Sequence, residues 1–499
     1  MASFQHHDIR VASGVIESVT LAASPRLFIE GRELPLPRGA VILPGFVDTH
    51  CHLIGLGMMA SRVGLRGARS AEECARRVAQ RAAGRPPGEW IIGFGWNQEE
   101  WDDRGMPDRT RLDAATADHP VALYRIDSHA IWLNTRALAE AGIVPHAIDG
   151  GSIEVDGEGN ATGLLIDNAM KLVEARMPPP SADQQRRWIE FSVEECLRLG
   201  ITEVHDMNVE PERIESMTRA AEGGGMRLRC QVFLAGQNEE WRGFSSPAVL
   251  GPNLRTVGVK YFADGALGSR GALLLEPYSD APETRGLGLL DADRLVDLAT
   301  PAVERGFAIA THAIGDAANR LVLDAYERLR SAHRHALLRI EHAQTLHPDD
   351  IPRFARLGVL PAMQAIHCTS DAAMAEARLG PERCDHSYAW NELRKLGVPI
   401  LGGSDFPVES ADPLAGLRAF YYRRPDGSTE GWRPGQAVSR RVAIDAYTAW
   451  APLGIPGNNR RGRLAVGCDA DLVVLDGDPF HESTSAVLTV VGGNVVMRR

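Results

Sequence analysis

No stretch of the 499-residue chain is apolar for the roughly 18 residues that a membrane helix needs, so no transmembrane span is expected. The start, MASFQHHDIR, has no basic segment followed by an apolar one, so no secretory signal is expected either. No CxxC pair occurs. The seven cysteines (51, 74, 196, 230, 368, 384 and 468) are odd in number and far apart. They read as reduced, mostly buried thiols of a cytoplasmic protein rather than as a disulfide framework. Positive charge is in deficit: 54 Lys and Arg stand against 65 Asp and Glu, a net charge of −11. That balance speaks against non-specific binding to nucleic acid or to an anionic membrane. The turn-rich DGEGNATG lacks the strand–helix context of a phosphate loop. The charge balance says nothing about the substrate, because the local charge of a site can oppose the net charge.

The composition itself is ordinary for a globular protein, with 44% apolar and 24% charged residues. The length suits a large barrel with additions better than one ordinary domain. Short strand-like runs fill both ends: IRVASG, IESVTLAA and AVILPG near the start, DLVVLDGDP and AVLTVVGGNVVMRR near the end. They predict one β-sandwich domain built from residues 1–42 and 460–499. Between them, over 43–459, eight apolar runs alternate mostly with amphipathic helical segments. These runs are 43–50, 200–207, 227–234, 256–265, 307–315, 337–344, 358–364 and 399–405. Eight β–α repeats predict an α/β fold of the (β/α)₈ (TIM) barrel type. The long gap after the first run predicts an inserted α/β subdomain over 65–175.

The ends of these runs carry unusual residues. GFVDTHCHL places His50 and His52 on either side of Cys51. Side chains on a strand alternate, so the two histidines share a face and Cys51 is expected to point outward into barrel–helix packing. Alone, this could be a chance pair among sixteen histidines. However, Lys260 lies on the fourth run, His312 on the fifth, His342 on the sixth and Asp405 on the eighth. C-terminal strand ends of a barrel converge on one mouth. His and carboxylate side chains are suitable ligands for Zn²⁺ and related ions. A lysine inside an apolar strand is costly as a free ammonium, which favours a role that changes its charge.

HxH, Lys, His, His and Asp on strands one, four, five, six and eight resemble the amidohydrolase superfamily. PGFVDTHCHL, GVKYFADGALGSRGALL, THAIGDAAN, RIEHAQ and GGSDFPVESADP resemble its third family, the YtcJ-like and N-substituted formamide deformylase-like group. The resemblance implies that His50 and His52 bind one metal and that His312 and His342 bind a second. Lys260 would bridge them as N6-carboxylysine. Asp405 would ligate the metal and act as general base and acid toward a bridging hydroxide. It implies one or two divalent ions, zinc first, and a homodimer as the assembly to expect. The implied activity is hydrolysis of a carbon–nitrogen bond in a non-peptide amide, N-acyl or N-formyl compound. Two alternatives stay open: a lactone or ester C–O bond at the same metal site, and a barrel lyase or isomerase.

A second group of residues is expected near the substrate. In the insertion these are Trp96 of GFGWNQEEW, and His129 and Trp132 of YRIDSHAIWLN; the competing reading is subdomain core. Arg270 follows the strand of Lys260 and could meet a carboxylate, or form a surface ion pair. Gln364 and His367 end the seventh run. His205 ends the second and could hydrogen-bond a metal ligand or only pack.

Overall fold

The computed structural model describes residues 5–102, 104–126, 129–425, 427–457 and 460–499. The boundary expected at 459/460 thus touches residues outside those described, as do Asp127 and Ser128 of YRIDSHAIWLN. Contacts divide the chain into two compact units, one comprising Met1–Gly57 and Arg186–Arg499, the other Met58–Gln185.

In the first unit, eight parallel strands lie in sequence order: Phe46–Cys51, Ile201–Val209, Arg229–Ala235, Leu254–Phe262, Ala308–Ala313, Leu338–His342, Leu360–Gln364 and Leu401–Gly403. The sequence predicts all eight. It misses one addition, the short strand Ala248–Gly251, which pairs antiparallel with the fourth barrel strand. The strands are short runs buried on both sides, some of them rich in Val, Ile and Thr, as in Ile201–Val209; all six residues of Phe46–Cys51 are buried. Helices cover the outside. Ala292–Glu304 begins where the Asp291 side chain accepts the Arg294 N–H, and it buries Leu295, Leu298 and Ala302. Asp316–Ala332 buries Val322, Leu323, Tyr326 and Leu329 at helical spacing.

The first and eighth strands close the ring through bonds just past the ladder. Asp405 N–H donates to His50 O at 2.7 Å, and His52 N–H donates to Phe406 O at 2.9 Å. Thr49 Oγ1 donates to Gly402 O at 3.0 Å. Buried Asp48 reinforces the seam by accepting from His50 N, Ser404 N and Ser404 Oγ. Gly403 makes this approach possible, because a Cβ there would stand 2.7 Å from His50 N.

The same unit holds two four-stranded sheets. One consists of His7–Ala12, Val15–Leu21, Arg26–Ile29 and Arg32–Leu34; the other joins Val41–Pro44 to Leu472–Leu475, Ala486–Val491 and Asn494–Arg498. Ile9, Val11, Ile16 and Leu27 from the first pack with Leu472, Val474, Leu488 and Val490 from the second. This is a β-sandwich drawn from both ends of the chain.

The second unit is an α/β layer around a six-stranded mixed sheet, with Val63–Gly64, Ile91–Trp96 and Val121–Arg125 parallel and the remaining pairs antiparallel. Helix Ala71–Ala82 packs on it, started by Ser70 accepting the Glu73 N–H. No helix among the described residues is long and apolar enough to cross a membrane.

Candidate metal centre

The residues singled out at the strand ends meet at the barrel mouth. The His50 and His52 rings lie 5.8 Å apart, centroid to centroid, His50 and His342 4.9 Å, and His312 and His342 4.5 Å. Asp405 Oδ1 sits 3.2 Å from His52 Nε2 and 3.6 Å from His50 Nε2. One ligand atom each from His50, His342 and Asp405 falls within 4.8 Å of the others. Two of these three residues are held in the left-handed backbone region, His342 at φ 71° and Asp405 at φ 63°. For His342 that conformation costs about 1–2 kcal/mol, a strain of the kind found at functional sites.

The site also has buried polar atoms without hydrogen-bond partners: Lys260 Nζ, His342 Nδ1, Asp405 Oδ1, His367 Nε2 and Gln364 Oε1. Buried polar groups normally find partners, and leaving one unmade costs about 1–3 kcal/mol. Five at one place fit a site shaped to bind something. The nitrogen and oxygen donors suit a divalent metal such as zinc.

Hydrogen bonds already set the outer faces of the two leading histidines. His50 Nδ1–H donates to Glu341 Oε2 at 2.6 Å, and His52 Nδ1–H donates to Met207 O at 3.1 Å. Both bonds leave Nε2 as the free lone pair on the side of Asp405. Asp264 links the loops after the fourth and fifth strands by accepting from Leu273 N, Ile314 N and Gly315 N. Asp206 accepts the Leu53 N–H at 2.9 Å and so fixes the start of the helix after His52.

Electrostatics favours neutral histidines. Burial, with Lys260 adding to it, lowers His50 to about 4 and His312 to about 3; burial also carries His342 well below its usual value. Burial would raise Asp405, but the adjacent His50 and His52 outweigh it and keep the carboxyl well below the usual range. For His52, burial acts downward and Asp405 overrides it, so its value rises. Unfolded histidine titrates near 6.5. Below that pH the unfolded chain takes up protons that folded His50, His312 and His342 refuse, so their contribution to stability falls as pH falls. Each group contributes up to about 1.4 kcal/mol per pH unit. His52 opposes them, and so do Asp48 and Asp264, raised by burial to about 7, and Asp206, raised to about 6, which take up protons in the folded state over the same range. The histidines are therefore read one by one: in metal-stripped protein the ring resonances of His50, His312 and His342 should not titrate between pH 7 and pH 5. Titration near 6.5 would count against buried neutral histidines.

The second group of residues divides. His367 Nε2 lies 3.8 Å from Asp405 Oδ2, its ring stacked on His342 at 6.1 Å. Gln364 is buried at the end of the seventh strand, its amide donating to Ala362 O. Arg270 is a surface residue in an ion pair with Asp280. Trp96 and Trp132 are fully buried in the second unit, packed edge-to-face on each other and against Trp101. Their indole N–H groups donate to Leu123 O and Asp108 O, so both act as core. The expectation that Trp96, Trp132 and Arg270 face a substrate thus gives way to the competing readings. His129 is an exposed residue of the second unit whose Nδ1 pairs with Asp167 at 2.7 Å. Cys51 is buried in the barrel–helix core, its thiol directed at His205 O. All seven cysteines are free.

A family model described as the amidohydrolase family matches residues 38–497. The chain belongs to the amidohydrolase family. It is 34% identical over 490 residues to YtcJ of Bacillus subtilis (strain 168), covering 94% of this chain and 91% of that one. It is 26% identical over 467 residues to the N-substituted formamide deformylase of Arthrobacter pascens, covering 89% and 85%. Among solved structures, an uncharacterized metal-dependent hydrolase from Pyrococcus furiosus superposes with a TM-score of 0.78 at 27% identity, over 95% of this chain and 99% of that one. Membership of this third, YtcJ-like group of amidohydrolases fixes hydrolysis as the class of activity. The cluster of His50, His342 and Asp405 is where a hydrolytic metal would sit.

Sequence reasoning missed the carboxylate behind His50. Glu341 and Arg339 stand two residues apart on a run whose alternation turns both inward. Charged residues on the buried face of an apolar strand were the available signal.

Proposed function

We propose that this amidohydrolase cleaves a carbon–nitrogen bond of a small molecule, a non-peptide amide of the N-acyl or N-formyl type. The supporting observation is the convergence of partnerless buried Lys260, His342 and Asp405 atoms with His50 at one barrel mouth. His50, His52, His312, His342 and Asp405 would hold one or two divalent ions, zinc first, with Lys260 joining as N6-carboxylysine. A metal held there would supply a Lewis acid that acidifies a water and polarises a carbonyl. The remaining tasks belong to side chains. Asp405, ionised, takes the proton of the attacking water and delivers it to the departing amine. His50 and His52 keep Nε2 unprotonated and aimed inward. Gln364 Oε1 and His367 Nε2 are free to engage the substrate's amide.

The test is a panel of N-formyl amides, N-acyl amides and lactones, assayed with stripped and zinc-loaded protein. Amide turnover that needs metal and disappears in His50→Ala is expected. Undiminished turnover by stripped protein, or cleavage of lactones alone, would overturn the proposal.

Lys260 adds a pH prediction. Carboxylation consumes the neutral amine, and burial brings Lys260 down to about 8, against the pull of Glu341 and Asp405. Below that pH the ammonium dominates. Reactivation of stripped protein by metal at fixed dissolved CO₂ should therefore quicken from pH 7 to about 8 and level off above. Reactivation indifferent to CO₂ at every pH would exclude the carboxylysine.

A further inference from the structure

Below the metal centre, the interior of the barrel is charged. Such interiors are usually packed with Val, Ile and Leu. Here Arg339 and Glu341, both fully buried on the sixth strand, form a two-point ion pair: Nε to Oε1 at 2.6 Å and Nη2 to Oε2 at 3.0 Å. Glu341 Oε2 is also the acceptor of the His50 Nδ1–H. The guanidinium is pinned on its other edges. Nη2 donates to Thr49 O at 2.7 Å, and Nη1 donates to His205 Nδ1 at 3.0 Å and Gly454 O at 3.4 Å. His205 Nε2 stands 3.5 Å from Glu203 Oε1, and the other oxygen of Glu203 takes the Arg461 guanidinium. A side chain at Gly454 would come within 2.9 Å of Arg339 Nη1 and 2.7 Å of Leu401 Cδ1, so the column has room only because that residue is glycine.

We propose that Arg339 and Glu341 are positioning residues for His50: they fix its tautomer and aim, and thereby set the metal affinity of the site, with His205, Glu203 and Arg461 holding the pair in place. This rests on the reading of His50 as a metal ligand. An ionised carboxylate only accepts, so Glu341 requires the proton on Nδ1 and leaves Nε2 for the metal. Arg339 occupies both oxygens of Glu341, so the carboxylate can neither rotate away nor itself become a ligand. A purely structural role explains this arrangement poorly. Replacing a buried ion pair by apolar side chains of similar volume is often neutral or stabilising, whereas removing one partner is costly.

The distinction sets the experiment. Zinc affinity of stripped protein is measured by competition with a chromophoric chelator, beside the Tm of the same samples. Glu341→Gln keeps an acceptor for Nδ1–H but loses the charge, and its affinity should drop about 10-fold. The double variant Arg339→Met, Glu341→Leu removes acceptor and cation together. It should keep a Tm within a few degrees of wild type yet bind zinc about 100-fold more weakly. Affinity within twofold of wild type in Glu341→Gln overturns the inference, whether or not the double variant folds. Wild-type protein that takes up no zinc removes this inference and the metal reading together. Zinc-binding wild type that cleaves no amide removes only the functional reading, and the affinity ratios still decide this one.

Discussion

Asp405→Asn is expected to lower kcat by about 10²–10⁴-fold, the range that a positioned acid–base group contributes, while the fold and most of the metal binding persist. Asparagine has the same shape and keeps an oxygen that can ligate, but its amide cannot carry a proton between water and amine. The depressed value of Asp405 sharpens the argument. A carboxylate held so far below its usual range by His50 and His52 is a weak base. It can accept a proton only from a water that something else has made acidic, which ties its role to a metal at this site. The same depression keeps Asp405 ionised well below neutral pH, so its own protonation does not produce a loss of activity between pH 7 and 5. Rate, metal content and Tm should be measured on one preparation. A variant that holds full metal and turns over within tenfold of wild type would remove Asp405 from proton transfer.

The fold was legible because its signal is repetitive. Eight buried runs alternating with amphipathic helices admit few architectures. The sandwich was legible from the alternating strands at both ends, although sequence alone could not assign Val41–Pro44 to the sheet completed by the C-terminal strands. The hairpin strand Ala248–Gly251 was not legible; it is four residues long and exists only because the fourth barrel strand offers an edge.

The strand-end residues were legible for a different reason. A barrel brings the C-terminal ends of all its strands to one mouth, so knowing which strand a histidine ends is nearly knowing where it points. His50, His312, His342 and Lys260 needed no finer geometry than that. What surrounds them did need it. Whether Trp96 packs inward or faces a ligand depends on which side of its sheet is covered, and the alternation of IIGFGW does not say which. Arg270 gave no hint of Asp280, ten residues away across a turn. Glu341 went unnoticed because RIEH draws the eye to His342, yet it is the residue in direct contact with His50.

Lys260→Met should move activity and stability in opposite directions. The ammonium is fully buried, has no hydrogen-bond partner, and faces Phe262 with its Nζ 4.9 Å from the ring centroid. Burial lowers its value from 10.5 to about 8, a penalty on the order of 3 kcal/mol for keeping it charged at neutral pH. Methionine fills nearly the same volume without that penalty, so stripped Lys260→Met is expected to be more stable than stripped wild type by about 1–3 kcal/mol at pH 7. The sign of the pH dependence follows. Between about 8 and the unfolded value near 10.4, the unfolded chain binds the extra proton, so wild-type stability climbs as pH rises through that window. The advantage of the variant should shrink from pH 8 upward and disappear near pH 10. Turnover, by contrast, should fall to background, because no thioether can form the carbamate that the metal reading asks of this position. Denaturation of both stripped proteins at pH 7 and pH 10, beside an activity assay of metal-loaded samples, reads all three effects. A variant as active as wild type would show that Lys260 is a buried cation and nothing more. A variant less stable at pH 7 would show that the ammonium is stabilised by Glu341 and Asp405 more than burial penalises it.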